Sequence, residues 1–401
     1  MKRVKKLFEP IKIGSMEVKN RIAFAPTTMM TCNDDGSVND QLICQYVARA
    51  KGGVGLVIVE STLPTCKYAT AAEPLLGCYK DRHIRGLKEL ADAVHASGAK
   101  AVVQLCEFGS HGSTLGGLKD LVAASPVPFS VPAGSTWKLE VVEGLIGETP
   151  RALTTEEVVE LEDDFVAGAE RIKRAGFDGI ELHGAHGHLL AQFMSSRTNI
   201  RRDIYGGSLQ GRLTLPLNII RKSREKLGKD FVIGFRLSNE YTEGGLTLED
   251  LVIIAPVLEA AGLDFIHVGG GCFEALKWME PGKEGRLLPD AKAIKEVVKC
   301  PVICPNIHNP LTGQKVLEEE STDMISLSRG LIADPEWPNK AMEGKLDEIN
   351  RCIFCNSCFI ALLNQVKVSC AVNPNVGWER FMPEYYPTPL RAKRRTGGKK
   401  G

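Results

Sequence analysis

The sequence predicts an α/β fold, a (β/α)8 TIM barrel with a C-terminal extension, and three observations carry that reading. Eight short apolar runs bounded by turn residues recur along the chain. Segments with helical periodicity separate most of them, and strands alternating with helices pair in parallel. The runs VVQL, VIGF and FIHV are continuously apolar, as strands buried on both faces are.

The predicted strands, in order, are Ile22 to Ala25, Gly55 to Val59, Ala101 to Gln104, Gly179 to His183, Val232 to Arg236, Phe265 to Val268, Val302 to Cys304 and Met324 to Ser326. Thr155 to Ala175 and Leu248 to Ala261 read as helices, the second stopped by Gly262. An open doubly wound sheet is the competing architecture. It needs a Gly-rich phosphate turn after the first strand, and Ala25-Pro26-Thr27-Thr28 is not one. The stretch Phe108 to Gly147, rich in Gly, Pro and Ser, reads as a long loop over the barrel mouth, a lid or an insertion. Residues 1–345 are expected to form the barrel, 346–380 a cysteine-bearing segment, and 381–401 a basic tail or linker.

The 401 residues suffice for two to three domains or one large barrel with an appendage. A net charge of +1 leaves no overall field to attract nucleic acid or an anionic membrane. No run of 18 apolar residues occurs, which argues against a spanning helix. Met1 to Pro10 carries basic residues without a following apolar stretch, so it does not read as a secretory signal. With that, the twelve cysteines point to a reducing, cytoplasmic setting in which clustered thiols bind metal.

Four cysteines are clustered: Cys352, Cys355 and Cys358, then Cys370 after eleven intervening residues. Three thiolates at two-residue gaps suit three corners of a 4Fe-4S cubane, with Cys370 as the fourth; a tetrahedral zinc is the competing ligand. The second signal is Glu181-Leu182-His183-Gly184-Ala185-His186-Gly187-His188 at the end of the fourth strand, where barrel enzymes place their chemistry. Neutral imidazole N–H groups there can polarise a carbonyl oxygen, and a further imidazole can deliver a proton. A divalent metal site and a structural cluster are the alternatives. Gln104, Arg236, Asn306 and Arg329 sit at further strand ends, the last two where parallel barrels commonly hold a phosphate.

LFEPIKIGSMEVKNRIAFAPTT, HGAHGHLLAQFMSSRTNIRRDIYGGSLQGR, and LSRGLIADPEWPNK followed by the cysteines together resemble the Old Yellow Enzyme family. The likeness is to its iron-sulfur branch: 2,4-dienoyl-CoA reductases, 2-enoate reductases, bile-acid enone oxidoreductases and trimethylamine dehydrogenase. The resemblance implies an FMN-containing ene-reductase that passes hydride from flavin N5 to an α,β-unsaturated carbonyl compound, fed with electrons through a 4Fe-4S cluster. An amine dehydrogenase or demethylase, or a non-catalytic electron-transfer subunit, are the other roles for this scaffold. By position, Ala25, Pro26, Thr27 and Thr28 line the flavin, Gln104 bonds its pyrimidine edge, Arg236 stabilises charge at N1, and Asn306 with Arg329 holds the phosphate. His183 and His186 fall on the pair that holds the substrate carbonyl.

The chain departs from the family pattern at several points. His188 stands where most members have a proton-donating Tyr, as acid or as lining. Glu107 and Ser110 replace the His and Arg of a Q-L-x-H-x-G-R stretch, and Phe273 replaces a second catalytic His of dienoyl-CoA reductases. Thr28 replaces the Cys that anchors flavin covalently in trimethylamine dehydrogenase, so FMN is expected to be non-covalent. Multidomain relatives continue into FAD- and NAD(P)H-binding domains opened by G-x-G-x-x-G, which this sequence lacks. NAD(P)H is then expected to donate through a separate subunit, through the remainder of a longer chain, or directly. Self-association into a homo-oligomer is a further expectation.

Overall fold

The computed structural model describes residues 4–114 and 119–386. Eight parallel strands close into a barrel: β1 (Ile22–Phe24), β2 (Leu56–Thr62), β3 (Lys100–Leu105), β4 (Gly179–Gly184), β5 (Val232–Asn239), β6 (Phe265–Gly270), β7 (Val302–Pro305) and β8 (Met324–Leu327). The ring shuts where Ile325, Ser326 and Leu327 of β8 pair with Ile22, Ala23 and Phe24 of β1. Closure excludes the open doubly wound sheet. Each strand foreseen from its apolar run is present, and β2 and β5 run on to Thr62 and Asn239.

A helix follows each strand: α1 (Asp40–Lys51), α2 (His83–Ala96), α3 (Thr155–Arg174), α4 (Thr214–Leu227), α5 (Leu248–Ala260), α6 (Leu288–Lys295), α7 (Pro310–Glu318) and α8 (Trp337–Glu343). Local chemistry fixes where these start. Thr154 with Glu157 opens α3, and Thr247 with Asp250 opens α5, each side chain bonding the other residue's backbone N–H in a capping box.

A hairpin, Ile11–Ile13 paired antiparallel with Met16–Val18, plugs the N-terminal end of the barrel. Its Ile13, Met16 and Val18 pack on Leu56, Val102, Val232, Phe265, Ile303 and Met324, which lie near the strand starts. The hairpin turn requires glycine: Gly14 has φ +55°, and a Cβ there would lie 2.6 Å from Asp264 Oδ1.

The cysteine-bearing segment packs onto the barrel. Val368 and Val376 cluster with Met29 and Ile332. Glu379 forms a 2.6 Å ion pair with Arg49 of α1, both side chains buried, and accepts a 3.1 Å hydrogen bond from Gln41. Tyr386 is also buried in the main core. Packed structure therefore extends six residues past the boundary expected at 380, because Glu379 and Tyr386 anchor it to α1. Residues 387–401, with the basic stretch Arg391 to Gly401, lie outside the described residues. Among the described residues no helix is long and apolar enough to cross a membrane.

Candidate active site

At the C-terminal end of the barrel the strands surround a cavity of about 540 Å³. Ala25, Pro26, Thr27 and Thr28 line it after β1, Gln104 from β3, His183 from β4 with His186 and His188 just beyond, Arg236 from β5, Asn306 after β7 and Arg329 after β8. These positions are scattered over 305 residues of sequence, from 25 to 329, and strand order alone brings them together. The described parts of the Phe108 to Gly147 stretch border the mouth, contributing Phe108, His111, Phe129 and Ile146 to the lining. Thr28 leaves that wall without a thiol.

Beneath the cavity a buried polar chain orients the lining side chains. Gln104 Nε2 donates to Glu181 Oε1 at 2.7 Å, and Gln104 Oε1 accepts from Ser61 Oγ at 3.1 Å. Glu181 Oε2 lies 2.8 Å from His267 Nδ1, whose Nε2 is 2.8 Å from Ser326 Oγ. The Gln104 amide is thus fixed, with one face left for a ligand. Arg236, in register with His183, has a buried Nε with no hydrogen-bond partner among the described residues. An unpaired buried guanidinium N–H is costly unless a ligand supplies the acceptor.

The three histidines lie within six residues, His183 on β4 and His186 and His188 on the turn after it. His186 and Gly187 both have positive φ, +60° and +74°, which folds the chain back so that three rings converge. The His183 ring lies 5.1 Å from His186 and 4.8 Å from His188, both edge-on. Burial pushes all three imidazoles toward the neutral form, His188 down to about 3, and the Arg236 charge adds to it. They therefore serve as neutral hydrogen-bonding groups near neutral pH. Held neutral, His188 offers one ring N–H as a donor and one ring nitrogen as an acceptor. His183 Nδ1 accepts the Ala185 N–H at 3.3 Å, which leaves the proton of neutral His183 on Nε2.

Where a metal site had been an alternative, the geometry selects a different set: Cys106, His183 and His188 bring their ligand atoms within 4.8 Å of one another, without His186. The nearby Arg236 charge, felt by both histidines and by the thiol, opposes a divalent cation there. At the departures from the family pattern, Glu107 is buried and its carboxyl is pushed well up by desolvation. Ser110 bonds Gln192, and Phe273 lines the cavity against His111.

Cys352, Cys355, Cys358 and Cys370 line one small void beside the cavity, and Cys358 also lines the cavity itself. Asn356, with φ +59°, holds the cysteine loop to the mouth: its Oδ1 accepts from Arg329 Nη1 at 2.7 Å and its Nδ2 donates to Trp137 O at 2.9 Å. Arg329 also donates to Pro281 O at 2.8 Å and pairs with Glu280 at 3.2 Å. It bridges mouth and extension, a role that sequence did not suggest. Asn306 is engaged as well, donating to Lys283 O and lying 2.9 Å from His308 Nε2. Sequence reasoning missed His111, Glu181, His267 and Gln192, because no spacing rule links residues that only barrel closure makes adjacent.

Residues 6–348 match the NADH:flavin oxidoreductase / NADH oxidase family model. The chain is 42% identical over 396 residues to an NADH oxidase of Thermoanaerobacter brockii, covering 96% of this chain and 58% of that protein. It is 37% identical over 404 residues to a cinnamate reductase of Clostridium sporogenes, covering 94% and 58%. A 2-naphthoyl-CoA reductase solved as its 2-naphthoyl-CoA complex superposes with a TM-score of 0.86 at 30% identity, over 94% of this chain and 58% of that one. The chain thus spans less than three fifths of the length of these relatives. On the matched barrel, the chain belongs to the NADH:flavin oxidoreductase / NADH oxidase family.

Proposed function

We propose that this chain holds FMN in the mouth cavity and reduces the C=C bond of an α,β-unsaturated carbonyl compound, with electrons arriving through a 4Fe-4S cluster on Cys352, Cys355, Cys358 and Cys370. One observation carries the reading: neutral imidazoles and the unpaired Arg236 guanidinium face one cavity that Cys358 also borders. The fit to FMN rests on that orphaned Nε, on the amide of Gln104 held from behind, and on a volume within the ordinary range for small-molecule sites. Bound FMN supplies hydride at N5. Arg236 stabilises negative charge on the pyrimidine side, Gln104 bonds that edge, Ala25 to Thr28 line the ring, and Asn306 with Arg329 holds the phosphate. His183, through its Nε2–H, and His186 hold the substrate carbonyl and polarise it; His188 borders the same space.

A single zinc bound by thiolates at about 2.3 Å would draw its sulfurs to roughly 3.8 Å apart. The four cysteines line one void, three of them at two-residue gaps, which is the ligand pattern of a cubane rather than of paired zinc knuckles. The names of the cinnamate and 2-naphthoyl-CoA reductases support an unsaturated acyl substrate. NAD(P)H is the ultimate donor, and an FAD- and NAD(P)H-binding module, on a separate subunit or on the same polypeptide, relays its electrons. Rapid stoichiometric bleaching of the flavin by NADH alone would sink that relay.

The test is flavin, iron and sulfide analysis on protein purified without oxygen, followed by turnover of enones and cinnamate with dithionite-reduced viologen. About one flavin and four irons per chain are expected. His183→Ala should cut turnover roughly 10²-fold, the scale of removing one preorganised donor, with the melting temperature little changed. Zinc without flavin, or oxidation of amines with no enone reduction, overturns the proposal.

A further inference from the structure

The covering loop places a fourth imidazole against the turn that carries His186 and His188. His111 Nδ1 lies 3.0 Å from His188 Nδ1, with both side chains buried. The His111 ring is fixed on its other sides, 4.1 Å from the Phe273 ring and 5.2 Å, edge-on, from Phe129. Gln192, itself 1% exposed, registers loop and turn together: its Nε2, with two N–H groups, lies within 3.2 Å of Phe108 O, Ser110 Oγ and Gly187 O, while its Oε1 accepts from Ser110 N. A Cβ on Gly187 would meet His111 Cε1 at 3.1 Å, so glycine there admits the ring.

Two neutral imidazoles meeting through Nδ1 atoms can share one proton between those atoms, so a proton on one Nδ1 places the other ring's proton on Nε2. The Nε2 edge of His111 packs over Gly187, and both rings border the cavity. With His111 donating from Nδ1 to His188 Nδ1, no N–H of His111 is left against the glycine. We propose that His111 is a positioning residue that locks His188 as the Nε2–H tautomer, so that His188 stands in the cavity wall as a hydrogen-bond donor. The inference rests on the ene-reductase reading only for its kinetic consequence.

The experiment uses the full chain with its cofactors, labelled with ring-15N histidine, His188 being assigned from the signal lost in His188→Gln. The wild type should show His188 as a single Nε2–H tautomer. His111→Phe, which keeps the aromatic packing, should give a mixture of tautomers. His111→Asn, whose amide Nδ2–H stands where Nδ1–H did, should restore the single form. With saturating enoate, turnover should fall about tenfold in His111→Phe and recover in His111→Asn. A His188 proton on Nδ1 in the wild type, or a tautomer unchanged in both variants, overturns the assignment. A wild type that reduces no enoate overturns the functional reading instead, while the ring signals still decide the tautomer.

Discussion

The two ends of the barrel are built from the same strands and behave as opposite materials. At the N-terminal end the inward residues are Leu56, Val102, Val232, Phe265, Ile303 and Met324, sealed by the hairpin. One or two pleats further along, several inward positions are polar: Val102 gives way to Gln104 and Phe265 to His267, and Arg236 follows Val232 by four residues. Because side chains alternate with period two, a single strand supplies both the seal and the chemistry. The contrast teaches that stability and reactivity are separated along each strand rather than between strands, as the fold's top-and-bottom division requires.

That division can be broken at its apolar end first. Phe265→Ala should cost about 3–5 kcal/mol of unfolding free energy, as a buried Phe lost from a packed core does, since its ring fills the space beside Gly234. Chemical denaturation should show the loss, while turnover per folded molecule stays near wild type; an equal drop in turnover would abolish the separation. A smaller effect is expected where the extension meets the barrel. Glu379→Gln leaves Arg49 buried without its anion and should cost about 3 kcal/mol; the double variant Arg49→Met with Glu379→Leu should recover part of it.

The smallest effect sharpens the contrast at the polar end. His188 is held down to about 3 by burial, against about 6.5 in an unfolded chain. The unfolded state therefore takes up the proton first, so the stability is full above pH 6.5 and falls as pH drops from there toward 3. His188→Gln should flatten that decline by about 1.4 kcal/mol per pH unit between pH 6 and 4. Phe265→Ala should lower the whole profile without changing its slope, and denaturation curves at several pH values read both.

The barrel was legible because each of its strands is a short apolar run flanked by turn residues, a signal carried by neighbouring residues. The cysteine quartet and the three histidines were legible for the same reason, being compact in sequence. His111, Glu181 and Gln192 were not, since what each does depends on a partner from 77 to 86 residues away. The end of the packed chain was misjudged as well. Residues 381–386 show no helical or strand periodicity, and only the pairing of Glu379 with Arg49 and the burial of Tyr386 reveal that this stretch packs on the barrel.

The Arg49–Glu379 pair also orders the steps by which such a chain can change. Arg49 is 0% exposed, and its carboxylate partner comes from 330 residues downstream. A lineage that discarded the extension outright would leave this guanidinium with the Gln45 and Leu331 carbonyls but no anion. Loss of the extension is therefore easiest after position 49 has become neutral, and gain of a guanidinium at 49 easiest after the extension has docked. One ion pair makes the history of the barrel and that of its appendage interdependent.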